Sequence, residues 1–209
     1  MTILDFIKGG PILFIGCHPD DVELGCGGLI NRLRNKIPIY VLTLSKNQKN
    51  PKNQDLVKEQ KESLTSLGIS PSKIILGDFT TREFSYSRQK ICDFLWEIDR
   101  KINPSCIFIP TSDLHQDHQV GNAESLRVFR TKTILEYYII RSTTVYNPTV
   151  FVKLNKADLN AKTRALSKYK TYKDKNYFSK TAIPSMCQSA GIKLEIPICE
   201  TFNPVSIVL

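Results

Sequence analysis

Apolar residues fall in short, tight runs along the first half of the chain, and stretches of helical periodicity separate them. Ile12-Leu13-Phe14-Ile15-Gly16-Cys17 reads as a buried strand. A helix follows from about Glu23 to Asn35, with Gly25, Gly27 and Gly28 in its first turns. Ile37 to Leu44 reads as a second strand, with Pro38 near its start where a missing N–H is tolerated. Ser45 to Asp55 is polar and reads as a loop, and Leu56 to Leu67 reads as a helix closed by Gly68. Lys73 to Leu76 is a short strand. Ile91, Leu95, Ile98 and Ile102 recur at helical spacing, which predicts an amphipathic helix over 86–102. Cys106 to Ile109 is another buried strand, and 118–130 reads as a helix.

Strands alternating with helices imply βαβ units, a parallel sheet and helices on both faces, so the expected class is α/β. After about residue 133 the pattern changes. Leu135 to Ile140 and Thr149 to Leu154 read as strands with no helix between them, followed by a basic helix over about 157–171 and a mixed tail. This region reads as a C-terminal edge extension, and residues 1–209 are expected to form a single domain.

Composition narrows the class. A length of 209 residues is enough to bury a core, and 41% hydrophobic with 23% charged residues excludes wholesale disorder. The longest apolar run, Pro11 to Cys17, is far short of a membrane span, and Met1 to Gly10 carries Asp5 and lacks the cationic start of a signal peptide. Neither a transmembrane segment nor a leader is expected. None of the six cysteines forms a Cys-x-x-Cys pair and several sit in apolar runs, which predicts free buried thiols and a cytoplasmic location. The net charge is +9, and +7 of it lies between Lys153 and Lys180. That segment lacks regular aromatic interleaving, so no nucleic-acid partner is expected. It reads as a solvated surface or as a feature that attracts an anionic substrate.

The three histidines carry the chemistry. His18 follows the first strand directly, in His18-Pro19-Asp20-Asp21-Val22-Glu23. His115 and His118 follow the strand at 106–109, in Asp113-Leu114-His115-Gln116-Asp117-His118. In open α/β sheets, ligands bind outside the carboxyl ends of the strands, so both acidic turns point at the same edge. Imidazole and carboxylate donors suit a divalent transition metal, and a catalytic zinc needs three protein ligands and an open position. His18, Asp21 and His118 can supply those three. Asp20 is then a neighbouring proton acceptor and His115 a group facing a developing oxyanion. Asp117 or Asp113 can orient an imidazole through its second nitrogen. The glycines after the first turn do not fit Gly-x-Gly-x-x-Gly, so close helix packing or room for the metal site explains them better than nucleotide binding.

These two motifs resemble those of the PIG-L/LmbE-like zinc de-N-acetylases, His-Pro-Asp-Asp-x-Glu and His-Pro-Asp-His. His18 to Gly28 is similar to the first and Asp113 to His118 to the second, with weaker likeness at Glu59 to Gly68, Pro148 and Glu200-Thr201-Phe202. The resemblance implies a Rossmann-like three-layer sandwich and one zinc per chain on His18, Asp21 and His118, Fe2+ or another divalent metal being the alternative. It implies Asp20 as general base and His115 as oxyanion stabiliser, with Asp117 beside them in the catalytic group. The implied substrate is an N-acetylated amino sugar or its conjugate. Cys17 stands where the family has alanine and Gln116 where it has proline. The arginine that many members carry early in the second helix is absent from Asp55-Leu56-Val57-Lys58-Glu59, which leaves Asp78, Arg82 and Asp113 as candidate substrate contacts. Competing readings are a non-haem Fe(II) oxygenase, which uses the same two-His-one-carboxylate set, and a non-catalytic anion-binding protein. Oligomeric state, including a homo-oligomer, is left open by the sequence.

Overall fold

The computed structural model describes residues 7, 9–47 and 49–208, so the expectation about a leader falls largely outside the described residues. In chain order the elements are β1 (Ile12–Gly16), α1 (Asp21–Leu33), β2 (Ile39–Thr43), α2 (Leu56–Ser66), β3 (Ile74–Leu76), α3 (Arg88–Ile102) and β4 (Cys106–Pro110). They continue with α4 (Gln116–Val128), β5 (Thr133–Tyr137), β6 (Val150–Lys153), α5 (Lys156–Leu166), α6 (Ala182–Ser189) and β7 (Cys199–Ser206). One seven-stranded sheet runs in the order β3-β2-β1-β4-β5-β7-β6. The first five strands pair in parallel, and β7 is antiparallel to both its neighbours.

Alternation along the strands builds two cores. Ile12 and Phe14 of β1, with Cys106 and Phe108 of β4, face α1, α2 and α5. Leu13, Ile15, Ile107 and Ile109 face α3 and α4. The rings of Phe14 and Phe108 stack at 4.6 Å, and Phe202 of β7 packs edge-on against Phe108 at 5.1 Å. Strands buried on both faces explain the near-continuous apolar runs. The α/β class, the parallel sheet and the helices on both faces are as expected.

Three details differ. The helix expected at 118–130 begins at Gln116, because the His115 ring caps it by accepting the N–H of Asp117 at 3.1 Å. The helix expected at 157–171 stops at Leu166, and short 3-10 turns follow at Lys170–Tyr172 and Asn176–Phe178. The tail holds α6 and β7, which inserts between β5 and β6; the periodicity missed both.

The glycines of α1 serve packing. A Cβ on Gly25 would meet the Tyr137 ring at 2.2 Å and one on Gly28 the Leu154 side chain at 2.4 Å. Glu200 of β7 accepts the N–H groups of Gly28 and Leu29 and pairs with Lys162 of α5 at 2.6 Å. Both charges are buried, so this pair ties α1, α5 and β7 together. Lys162 is thus an exception to the solvated reading of the basic segment. All six cysteines are buried and free. Among the described residues no helix is long and apolar enough to cross a membrane.

Candidate active site

The strand order reverses between β1 and β4, and the turns leaving their carboxyl ends carry all three histidines. This is where an open α/β sheet leaves a crevice. A cavity of about 870 Å³ opens there, with His18, Asp20, Asp21, His115 and His118 among its lining residues.

Asp21 opens α1 and its Oδ2 folds back to accept the N–H groups of Cys17 at 2.9 Å and His18 at 2.8 Å. The same oxygen lies 3.7 Å from His18 Nδ1 and 3.4 Å from His118 Nε2, and the two ring nitrogens are 3.3 Å apart. Donors held at 2.0–2.2 Å by one tetrahedral ion stand about 3.3–3.6 Å from one another. The three atoms therefore match the edges of such a site before any ion is considered. The far nitrogen of each ring is held by a carboxylate: His18 Nε2 by Asp117 Oδ2 at 2.9 Å and His118 Nδ1 by Asp113 Oδ2 at 2.9 Å. Carboxylates behind ligating imidazoles fix their tautomer and orientation.

The electrostatics also favour a cation. Burial alone would lower the pKa of His118, but the carboxylates of Asp21 and Asp113 push it up to about 10. Burial alone would raise Asp21, yet His118 and His18 hold it down at about 2. Carboxylates so placed favour positive charge between them. Two other donor sets converge: the ring nitrogens of His18, His115 and His118, and Cys17 with Asp21 and His118. Cys17 is a poor ligand here. Burial, then Asp21, raises its thiol well above the usual range, and its Sγ hydrogen-bonds the carbonyl of Asp117 at 3.4 Å. It fits where the family has alanine because the facing helix carries Gly121; a Cβ there would lie 2.5 Å from the Cys17 sulfur.

Asp20 sits at the N-cap position of α1 without a side-chain capping bond, at φ 102°. A non-glycine residue in that region is strained by about 1–3 kcal/mol, and such strain clusters at functional sites. Burial, then the neighbouring Asp21, raises its pKa well above the carboxylate range, so it is a stronger proton acceptor than an exposed aspartate. For His115, burial and then His18 and His118 lower the pKa to about 4, which leaves the ring neutral near pH 7. Its Nδ1 accepts a backbone N–H, so its proton is on Nε2.

Two of the candidate substrate contacts lie outside the cavity lining. Asp78 is largely exposed, pairs with Lys46 at 3.0 Å and is not among the residues lining the cavity. Asp113 has a buried side chain that bonds His118, Ser142, Thr143 and the N–H of His115, and it is not among the residues lining the cavity. Arg82 does line the cavity; its N–H donates to Asp117 at 2.7 Å, and Gln116 Nε2 donates to its carbonyl at 2.8 Å. Gln116, in place of the family's proline, thus fastens the Arg82 loop. Glu23 lies behind the cavity, where it accepts the hydroxyl of Tyr169 at 2.6 Å.

Arg141, Tyr172, Lys175 and Tyr177 also line the cavity, and the motifs did not reveal them. Arg141 follows β5 and was open to the same strand-end rule. Lys175 was hidden within the basic segment.

Residues 13–129 match the model of a family described as PIG-L, GlcNAc-PI de-N-acetylase. The chain is 29% identical over 168 residues to the uncharacterized deacetylase YaiS of Escherichia coli (strain K12), covering 77% of this chain and 90% of that protein. Its fold is similar to that of the conserved protein TT1542 from Thermus thermophilus, with a TM-score of 0.77, 20% identity and coverage of 96% and 97% of the two chains. It is also similar to the N,N'-diacetylchitobiose deacetylase from Pyrococcus horikoshii, with a TM-score of 0.74, 20% identity and coverage of 95% and 84%.

Proposed function

The chain belongs to the PIG-L family, that of GlcNAc-PI de-N-acetylase, and we propose that it is a metal-dependent hydrolase that removes the acetyl group from an N-acetylated amino sugar or its conjugate. The observation that carries this reading is the triangle of His18 Nδ1, Asp21 Oδ2 and His118 Nε2, with sides of 3.3–3.7 Å, on the floor of an open cavity. These three residues would hold the metal, and two imidazoles with one carboxylate suit zinc. A metal held there would supply Lewis acidity to the amide carbonyl and to the attacking water.

The remaining chemistry belongs to the chain. Asp20 accepts the proton of the attacking water, for which its raised pKa suits it. His115 donates its Nε2–H to the oxyanion that forms as the carbonyl carbon becomes tetrahedral. When the C–N bond breaks, the proton held by Asp20 passes to the leaving nitrogen, giving acetate and a free amine. Asp117 and Asp113 keep the two ligand rings in the required tautomer.

The similarity to a diacetylchitobiose deacetylase supports the sugar class. Family membership and the second aspartate, Asp20, weigh against the Fe(II) oxygenase reading. Six buried free thiols support a reducing, cytoplasmic setting. The test is release of acetate and primary amine from a panel of N-acetylated amino sugars by the zinc-loaded protein. We expect activity that a chelator abolishes and zinc restores. A fully loaded protein that releases no acetate from any of them would refute the reading.

A further inference from the structure

The cavity wall is cationic in a way the hydrolytic reaction does not use. Its lining carboxylates are Asp20 and Asp21, both at the floor. Above them stand Arg82, Arg141 and Lys175, and among the described residues no carboxylate lies within 4.0 Å of any of the three. Lys49, at the same rim, is paired with Glu83. Arg82 and Arg141 are exposed, whereas Lys175 is partly buried, and a partly desolvated ammonium is favoured by opposite charge brought near it.

The wall segment that presents Lys175 is firmly anchored. Glu23 of α1 holds the Tyr169 hydroxyl at 2.6 Å, and Glu59 of α2 accepts the N–H of Thr171 at 3.0 Å. The Tyr172 hydroxyl accepts from Asn47 Nδ2 at 3.4 Å. On this support the Lys175 ammonium rests 3.1 Å from the centre of the Tyr172 ring and 5.6 Å from that of Tyr177. Arg141, from the loop after β5, lines the same cavity as Lys175 and Tyr177. Two cations from distant parts of the chain are therefore brought to one aromatic wall. Burial lowers the pKa of Lys175 first, the Asp20 carboxylate on the floor opposes that shift, and Arg141 adds to it.

We infer that Arg141 and Lys175 form a subsite for an oxyanion, a phosphate or carboxylate, carried by the substrate beyond its acetamido group. The inference rests on the proposed hydrolysis and names the residues that select among its substrates. A guanidinium fork and an ammonium are the donors that hold such oxygens with short, charge-assisted hydrogen bonds. The floor carboxylates would repel the anion from the reacting end, which orients the substrate with its acetamido group downward.

The test compares three N-acetylglucosaminides that differ only at the anomeric substituent: a 1-phosphate, a carboxylate-bearing glycoside and a neutral methyl glycoside. Wild-type kcat/KM should favour at least one anionic substrate over the neutral one by about 10–100-fold. That preference should fall about tenfold or more in Arg141→Gln and in Lys175→Gln. Which anionic arm shows the preference identifies the oxyanion. Using the preference ratio removes any effect of Lys175 on the charge of Asp20, because both substrates share the same base. Equal kcat/KM for anionic and neutral substrates in all three proteins would overturn the subsite while leaving the hydrolase reading intact. If no amide is cleaved, calorimetric binding of the same glycosides to the zinc-loaded protein decides: an anionic preference lost in Arg141→Gln upholds the subsite, and its absence overturns it.

Discussion

Asp117 reaches back from the first turn of α4 to His18, one strand away, and its Oδ2 lies 2.9 Å from the imidazole Nε2. That oxygen also accepts the N–H of Arg82 at 2.7 Å, so one carboxylate sets both a proposed ligand and the loop at the cavity mouth. Asp117→Asn should weaken zinc binding by about 10–100-fold, the usual effect of removing a carboxylate behind a ligating imidazole. Competition with a chromophoric chelator measures this, and unchanged circular dichroism shows that the fold is retained.

His118 is engaged by Asp21 and Asp113 from opposite sides, at 3.4 and 2.9 Å. Removal of the ring should therefore abolish metal binding. His118→Ala is expected to be isolated with less than a tenth of the wild-type zinc and no measurable acetate release. Metal analysis after dialysis checks it, and full occupancy in the variant would move the ligand assignment elsewhere.

The glycines of α1 should behave as packing residues. Gly25→Ala forces a methyl group to within 2.2 Å of the Tyr137 ring. The expected cost is about 1–3 kcal/mol, the usual penalty for overpacking, read from the midpoint of urea unfolding. A neutral result would mean that α1 can shift away from Tyr137.

The Lys162–Glu200 pair gives a larger effect. Both side chains are buried, and Lys162 Nζ also donates to the carbonyl of Leu24 at 2.6 Å. Lys162→Met leaves the Glu200 carboxylate buried and without its counter-charge. A loss of about 3–5 kcal/mol in urea unfolding is expected.

Much of the site was legible because the strand-end rule needs only the order of strands and the positions of polar turns. It brought His18 and His118 to one edge from turns a hundred residues apart. What was not legible depended on pairing that the local pattern does not encode. β7 has no alternation, with Cys199 to Phe202 all buried and Asn203 and Pro204 more open, and is a strand because β5 and β6 receive it. Asp78 and Arg82 were equivalent in sequence, but the chain turns at Arg82, φ 69°, towards Asp117 and leaves Asp78 outside. Lys162, Lys175 and their neighbours were one basic segment on paper. Folding buries the first against Glu200 and sets the second against Tyr172.

In the proposed reaction Asp20 moves the proton and does not hold the metal. This is tested most directly by measuring zinc content and acetate release together in Asp20→Asn, against an N-acetylated amino sugar that the wild type cleaves. A general base at Asp20 predicts wild-type zinc occupancy with turnover slowed by about 10²–10⁴-fold, the range of a lost general base. Wild-type turnover in the variant, or loss of its zinc, would contradict it.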